Sequence, residues 1–282
     1  MPPTVDEVLS DARARLAAAP FAPSTREAAL LLGRVLGLTE ARLLARGPEP
    51  VPAAAAERFA GLLARRLAGE PVAYLLGSRE FYGREFAVDR RVLIPRPETE
   101  HLVEAALGLD LPAAPRILDI GTGSGCLAVT LALELPGARV VAVDLSPGAL
   151  AVAAGNVRRH GAGGRVSLVG ADLAGAVDLA RFDLVVSNPP YLDPGEAEEI
   201  SREVLDFEPE LALFPPGGGA TALGALIAAG ERMRPGAELL LEIGRGQLPA
   251  VERLASASAL QLVATWSDYS SIPRVVRLRR PA

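Results

Sequence analysis

Asn188-Pro189-Pro190-Tyr191 is a run of residues able to hold a planar amine. Asn188 brings a carboxamide oxygen, and the two prolines bring main-chain carbonyls without competing N–H groups. Tyr191 adds a flat phenol ring, so acceptors can take both protons of an –NH2 while a ring lies on its face. That grip suits methylation of a planar nitrogen. The lone pair of an amide or exocyclic base nitrogen is delocalised. Holding both N–H protons fixes the nitrogen, aims its lone pair at an electrophilic methyl and stabilises the positive charge that grows on it. No strong base is required, because an alkylated amide cation gives its proton readily to water. Taken alone, the same four residues also read as a Pro-Pro turn that merely stops a strand.

A second group lies upstream. Leu118-Asp119-Ile120-Gly121-Thr122-Gly123-Ser124-Gly125 closes a strand candidate and opens a helix, and its glycines permit close ligand approach and positive φ. A dinucleotide fingerprint, Gly-x-Gly-x-x-Gly, requires glycine where Cys126 stands. The Gly-x-Gly-x-Gly pattern suits a ligand without a pyrophosphate, such as S-adenosylmethionine. The next strand ends at Asp144, where a carboxylate can accept both ribose hydroxyls. Its position about 20 residues beyond the glycines would serve NAD as well, so spacing does not choose. Asp172-Leu173 follows the third strand, where an adenine would lie. Asp172 could accept from the adenine amino group or be a simple loop residue, and Leu173 could cover the ring.

These groups need an α/β frame. Arg116–Ile120, Arg139–Val143, Val166–Val169, Phe182–Ser187, Glu238–Ile243, Leu262–Trp266 and Val275–Leu278 are strand candidates. Helices near 124–135, 147–160, 220–233 and 247–257 alternate with them. Alternation of this kind predicts a doubly wound, Rossmann-like parallel sheet whose ligands sit at the carboxyl ends of the strands. The Gly-rich loop with Asp144, joined to Asn-Pro-Pro-Tyr after the fourth strand, points to an amino-methyltransferase. The donor would lie over the first two strands, its sulfonium methyl toward the end of the fourth.

Residues 1–70 read as a small all-α domain. Thr4-x-x-Glu7 and Ser24-x-x-Glu27 have capping-box spacing ahead of apolar stripes (Val5, Val8, Leu9, Ala12, Leu16; then Ala28, Leu31, Leu32, Val35, Leu36). A third helix starts near Pro52 and presents Phe59, Leu62, Leu63 and Leu67. Packing and partner recognition are both open as roles for this domain. Residues 71–95 read as a β-hairpin connector and 96–282 as the methyltransferase domain. Pro95-Arg96-Pro97-Glu98-Thr99-Glu100 forms a stiff turn into a helix.

The chain has 282 residues, 50% of them hydrophobic, enough for one large core or two ordinary ones. All 29 basic residues are arginine, and the net charge of −5 gives no global attraction to nucleic acid. Arg277, Arg279 and Arg280 near the end read as a solvated strand face. One cysteine cannot form an internal disulfide, which fits a reducing cytoplasm. No signal-peptide order and no membrane-length apolar run is present. Two histidines and one cysteine leave a structural zinc site without ligands, so no metal is expected.

The chain resembles the PrmC/HemK family of protein-(glutamine-N5) methyltransferases, which modify the Gly-Gly-Gln tripeptide of peptide chain release factors. The resemblance covers nearly the whole chain. It rests on Pro71-Val72-Ala73-Tyr74-Leu75-Leu76-Gly77, Glu80-Phe81-Tyr82-Gly83, Val92–Glu100, Asp119–Cys126, Ser187–Tyr191, Glu208–Leu213 and Leu241-Glu242-Ile243-Gly244 with Gln247. It implies that Gly121, Thr122, Gly123, Ser124, Gly125 and Asp144 bind S-adenosylmethionine, with Leu173 at the adenine and Thr99 near the reaction centre. It implies that Asn188 touches donor and target glutamine while Pro189, Pro190 and Tyr191 hold the amide, and that the N-terminal helices dock release factors. Thr221-Ala222, and a serine in Asp268-Tyr269-Ser270-Ser271-Ile272-Pro273-Arg274 where glycine is common, depart from the family pattern away from that centre. The alternatives are a nucleic-acid amino-methyltransferase, which shares Asn-Pro-Pro-Tyr, a non-catalytic release-factor-binding protein and, remotely, a nicotinamide oxidoreductase.

Overall fold

The computed structural model describes every residue except 22, 23, 174, 176, 194, 196–199 and 282. In chain order the elements are α1 (Val5–Ala17), α2 (Glu27–Leu36), α3 (Glu40–Leu44), α4 (Ala53–Leu67), α5 (Val72–Leu76), β1 (Ser78–Phe81), β2 (Arg84–Ala87), α6 (Glu100–Leu107), β3 (Arg116–Ile120), α7 (Cys126–Glu134), β4 (Arg139–Asp144), α8 (Pro147–Arg159), β5 (Val166–Gly170), β6 (Leu184–Ser187), α9 (Arg202–Phe207), α10 (Glu210–Leu213), α11 (Gly219–Gly230), β7 (Glu238–Glu242), α12 (Leu248–Ser256), β8 (Gln261–Ser267) and β9 (Pro273–Arg279). They fall into two compact units. The first takes Met1–Ser78 and Glu199–Phe207; the second takes Arg79–Glu198 and Glu208–Ala282.

In the helical unit, Thr4 caps α1 as its spacing predicts. Its hydroxyl accepts from the Glu7 amide, and the Glu7 carboxylate takes the Thr4 amide at 2.8 Å. The second box differs. The Glu27 carboxylate does take the Ser24 amide at 3.0 Å, but Ser24 accepts from the Arg26 amide, and α2 starts only at Glu27. Glu27 has a competing partner: its other oxygen takes the Arg66 Nε proton at 2.7 Å. Arg66, only 2% exposed, also reaches Glu203 of α9 at 3.1 Å and lies over the Phe21 ring. A cation so deeply buried persists because several acceptors share it. The short helices α3 and α5 lack enough turns to show an apolar period in sequence, and α5 occupies part of the stretch read as connector. The hairpin itself is β1–β2.

The second unit is a seven-stranded sheet of order β5-β4-β3-β6-β7-β9-β8. β3 pairs in parallel with β4 and β6, so the chain winds outward on one side, returns, and winds outward on the other. The switch point lies between β3 and β6, where the crevice of a doubly wound sheet opens. The central strands read as unbroken apolar runs because both faces are covered. Ile117, Leu184, Val186 and Leu240 pack into one core, and Leu118, Val185, Leu239 and Leu241 into the other. The expectation of a wholly parallel sheet needs one correction. β9 is antiparallel to both β7 and β8. No helix separates Ser267 from Pro273, so the chain can only turn back beside β8. The terminal arginines are not merely a solvated face: Arg277 and Arg279 both clasp Glu238 of β7 across that ladder, at 2.6 and 2.7 Å.

Candidate active site

Four strand ends converge on a cavity of about 400 Å³, within the size of small-molecule sites. The loop after β3 forms its floor. Gly121, Gly123 and Gly125 have φ of 74°, 54° and 80°, a left-handed region that side chains rarely adopt. The curl turns main-chain groups toward β4: the amides of Gly121 and Thr122 both donate to the Val143 carbonyl at 2.9 Å. The Gly123 amide donates to Asp144 Oδ2 at 2.8 Å, and the Ser146 amide to Oδ1 at 2.9 Å. Asp144 thus ties the Gly-rich loop to the cap of α8 before any ligand arrives. A carboxylate has about four acceptor sites, so roughly two remain for a diol. Gly125 does not line the cavity. It sits under the loop, where a Cβ would come within 3.2 Å of the Ala153 Cβ. Asn156 of α8, fully buried, holds the loop from beneath through the Ser124 carbonyl at 2.8 Å.

Below the floor lies Asp119. Its Oδ2 accepts the Thr122 hydroxyl at 2.6 Å, while Oδ1 is buried without a partner. Burial pushes its carboxyl up to about 7, against the Thr122 hydrogen bond that favours the charge. Leu145, Ala171, Asp172 and Leu173 close the far end of the cavity. Leu145 lines the cavity with its apolar side chain 53% exposed. Sequence reading missed it, although its place after Asp144 was a signal. Leu173 has φ of 46°, a strained value for a side-chain-bearing residue that turns the chain at this wall.

The loop after β6 forms the opposite wall. Ser187 Oγ donates to the Ile120 carbonyl at 2.8 Å, locking the two strand ends together. Asn188 Nδ2 donates to Thr99 Oγ1 at 3.0 Å. Thr99 is buried. At the end of β7 burial pushes the Glu242 carboxyl up to about 7. Gln247 clamps the next turn. Its Nε2 donates to the Tyr191 carbonyl at 2.7 Å, and its Oε1 accepts from the Gly244 amide at 2.9 Å. The Gly219 amide donates to Asp193 Oδ1 at 3.0 Å, and a Cβ on Gly219 would meet the Tyr191 carbonyl at 2.1 Å. Asn188 and Pro190 line the cavity, whereas Pro189 and Tyr191 do not. The Tyr191 ring packs against Gly244, and burial pushes its phenol up to about 12, so it stays neutral.

Arg91, Arg96 and the exposed Leu211 complete the rim. Arg96 pairs at 2.6 Å with Glu208, whose other oxygen takes the Ile94 amide at 3.0 Å. Glu208 therefore fixes the Pro95–Thr99 turn against the segment that opens α10. Of the sequence-derived site residues, Thr99, Gly121, Thr122, Gly123, Ser124, Asp144, Asp172, Leu173, Asn188 and Pro190 share one cavity. Among the described residues, no three of His, Cys, Asp or Glu are grouped as a metal would need, and no helix is long and apolar enough to cross a membrane.

The fold is that of the Rossmann-like methyltransferases. The hMettl16 catalytic domain in complex with MAT2A 3'UTR hairpin 6 superposes with a TM-score of 0.58 at 19% identity, covering 78% of this chain and 82% of that one. Residues 7–77 match the PrmC N-terminal domain, and residues 99–209 match the methyltransferase small domain. The release factor glutamine methyltransferase of Cereibacter sphaeroides is 44% identical over 277 residues, 98% of each chain. That of Bordetella pertussis is 47% identical over 253 residues, 88% of this chain and 92% of its own. The chain belongs to the release factor glutamine methyltransferase family and is a methyltransferase.

Proposed function

We propose that this enzyme moves a methyl group from S-adenosylmethionine to the side-chain nitrogen, N5, of the glutamine in the Gly-Gly-Gln motif of peptide chain release factors. The observation that carries the reading is the orientation of Asn188. Because Nδ2 is engaged by Thr99, the carbonyl Oδ1 is left to accept a proton from an incoming amide. The Pro189 carbonyl is the natural acceptor for the second proton. Tyr191 acts from behind, as the clamped residue that keeps this turn rigid, more than as a ring stacked in the cavity.

The residues present fit the donor. The Gly121–Ser124 loop offers a close main-chain surface, Asp144 retains acceptor capacity for a ribose, and Leu145 with Leu173 offers apolar cover for a base. Asp172 stands where an adenine amino group could be accepted. The donor supplies an electrophilic sulfonium methyl: the S–C bond breaks as the N–C bond forms, and the amide proton leaves to water. The wall does the rest, by holding the amide still and by placing oxygens where positive charge grows. The names of the relatives support release factors as the partner, and the helical unit is the part left for docking them. The acidic balance of the chain speaks against a nucleic-acid substrate.

The test is transfer of labelled methyl from S-adenosylmethionine to a bacterial release factor, to its variant with glutamine replaced by alanine, and to duplex DNA, in parallel. Label on the intact factor alone is expected. Label on the alanine variant, or on DNA alone, overturns the reading. Donor binding with no transfer to any of the three would leave a binding protein.

A further inference from the structure

Resting on the reading above, we infer that Glu208 is a positioning residue for methyl transfer: its buried carboxyl clasps the turn at 94–99 and so holds Thr99 where it engages the Asn188 carboxamide. The two oxygens have different tasks. Oε2 accepts from the main-chain amide of Ile94 at 3.0 Å, and Oε1 accepts from Arg96 Nη2 at 2.6 Å. These partners lie 114 and 112 residues away in the chain. One carboxyl thus pins both the main chain and a side chain of the same turn. From those pins the path to Asn188 is short. The Thr99 amide donates to the Arg96 carbonyl at 3.1 Å, closing a tight turn, and Thr99 Oγ1 accepts from Asn188 Nδ2 at 3.0 Å.

The sequence explains why a side chain must do this. Pro95 and Pro97 have no amide protons, so neither a ladder nor a helix can hold the approach to Thr99 through main-chain bonds. The same prolines stiffen it. With φ fixed at about −65° at each, a displacement at Ile94 or Arg96 is carried on to Thr99 instead of being absorbed. Beyond Thr99 the chain is anchored by α6, whose Leu102 and Val103 are buried. Before it, Val92 and Ile94 bury their side chains, but apolar contact has no direction. The Glu208 carboxyl supplies the direction.

Fold stability gives little reason for such a clasp. The Glu208 side chain is 1% exposed and that of Arg96 30%. A carboxylate buried to that degree gives up its hydration, and a buried ion pair gains little over apolar residues of the same size. The clasp also ties together no strand and no helix: Glu208 lies between α9 and α10, and its partners lie ahead of α6. What it ties together are two lips of the cavity. Pro95, Arg96 and Thr99 line the cavity from one segment, and Pro209, Leu211 and Ala212 from the other. The bond therefore fixes the rim beside the wall that is to hold the amide, where small misplacements cost turnover.

The experiment measures methyl transfer to a release factor by the full-length enzyme, with kcat and KM separated, donor affinity read by calorimetry and folding by circular dichroism. Glu208→Ala removes both acceptors, Glu208→Gln keeps the shape and one carbonyl, and Thr99→Val removes the hydroxyl through which the clasp acts. Expected for Glu208→Ala is a roughly tenfold or greater loss of kcat, with donor Kd within about threefold of wild type. Glu208→Gln should recover part of that loss, because its carbonyl still serves the Ile94 amide. The decisive comparison is the double variant. Acting through Thr99, Glu208→Ala should lower the kcat of Thr99→Val by less than about twofold, whereas a merely structural role would add its full effect. Wild-type kcat in Glu208→Ala overturns the inference, as does full additivity with Thr99→Val. Should Glu208→Ala not fold, Glu208→Gln, alone and combined with Thr99→Val, gives the same test. If wild-type enzyme transfers no methyl to the factor, the proposed reaction fails and this inference with it; if wild type transfers and the Glu208 variants match it, only the role of Glu208 fails.

Discussion

The two walls of the cavity are built by opposite means. On the donor side, contacts are closer in sequence, from two residues to 32. Thr122 reaches Asp119 three residues away, and Asp144 holds Ser146 two residues away and Gly123 on the neighbouring strand's loop. On the acceptor side, every restraint is distant. Asn188 is held by Thr99 across 89 residues, and the Tyr191 carbonyl by Gln247 across 56. The donor wall is main chain curled by glycines; the acceptor wall is a turn of prolines braced by side chains. A loop that binds an invariant small molecule can be self-contained. A turn that must aim one amide within a few tenths of an ångström needs supports from several elements. Each side nevertheless has a buried carboxyl, Asp119 or Glu242, with one oxygen left without a partner.

If the division is real, substitutions should separate cleanly into donor affinity and turnover. The largest effect is expected for Asn188→Ala. Turnover should fall about 10²–10³-fold, the scale of losing one pre-aimed group at a developing charge. Donor affinity, read by calorimetry, should change by less than about fivefold; a parallel collapse of both would erase the distinction between the walls. Asp144→Ala is the mirror case. Two main-chain amides lose their acceptor, and a charge-assisted pair with the ligand is lost, so donor Kd should rise roughly 10–100-fold. At saturating donor, kcat should stay within a few-fold of wild type.

Gln247→Ala tests whether bracing matters without contact. It strips the Tyr191 carbonyl and the Gly244 amide of their partners and should cost about 1–3 kcal/mol of stability. A roughly tenfold drop in kcat with unchanged donor Kd is expected; a variant that is less stable but fully active would show that the turn keeps its shape unaided. The smallest effect concerns the buried Asp119 and stability. Asp119 is raised from 3.8 to about 7 in the folded chain, so the native state holds the proton that the unfolded chain releases. Its contribution is fully present below about pH 4 and is lost as pH rises through about 7. Asp119→Asn removes that dependence. Its stability relative to wild type should therefore improve between about pH 4 and pH 8, by a difference on the order of 1–3 kcal/mol, checked by thermal melts at each pH. A wild-type-like pH dependence in the variant would mean that Asp119 is charged when folded.

Much of this molecule could be read before it was seen. The glycine loop, Asp144 and Asn188-Pro189-Pro190-Tyr191 announce themselves because their chemistry depends on residue type at close spacing: positive φ needs glycine, and a strand ends at proline. The alternation of strands and helices followed from apolar runs bounded by turns. The short helices α3, α5, α9 and α10 were illegible, since one turn has no period. The reversal of β9 was legible only in the lack of a helix after β8. Gln247 stood in the family-like stretch without a role, because nothing local says that its amide will hold the Tyr191 carbonyl.

The sequence by itself determined which atoms are available: the acceptors of Asn188 and its prolines, the bare main chain of the glycine loop, the carboxylate of Asp144. Each of these is a property of a residue and its immediate neighbours. Only the tertiary structure decided their direction. Parallel pairing sets Ile120 beside Ser187 and Ser187 beside Leu241, and the fold brings Thr99 within 3.0 Å of the Asn188 carboxamide. A carboxamide is nearly symmetric in shape, so its own sequence position cannot say which end faces outward. That choice falls to the Thr99 hydroxyl, 89 residues away in the chain, which only the fold brings to Asn188.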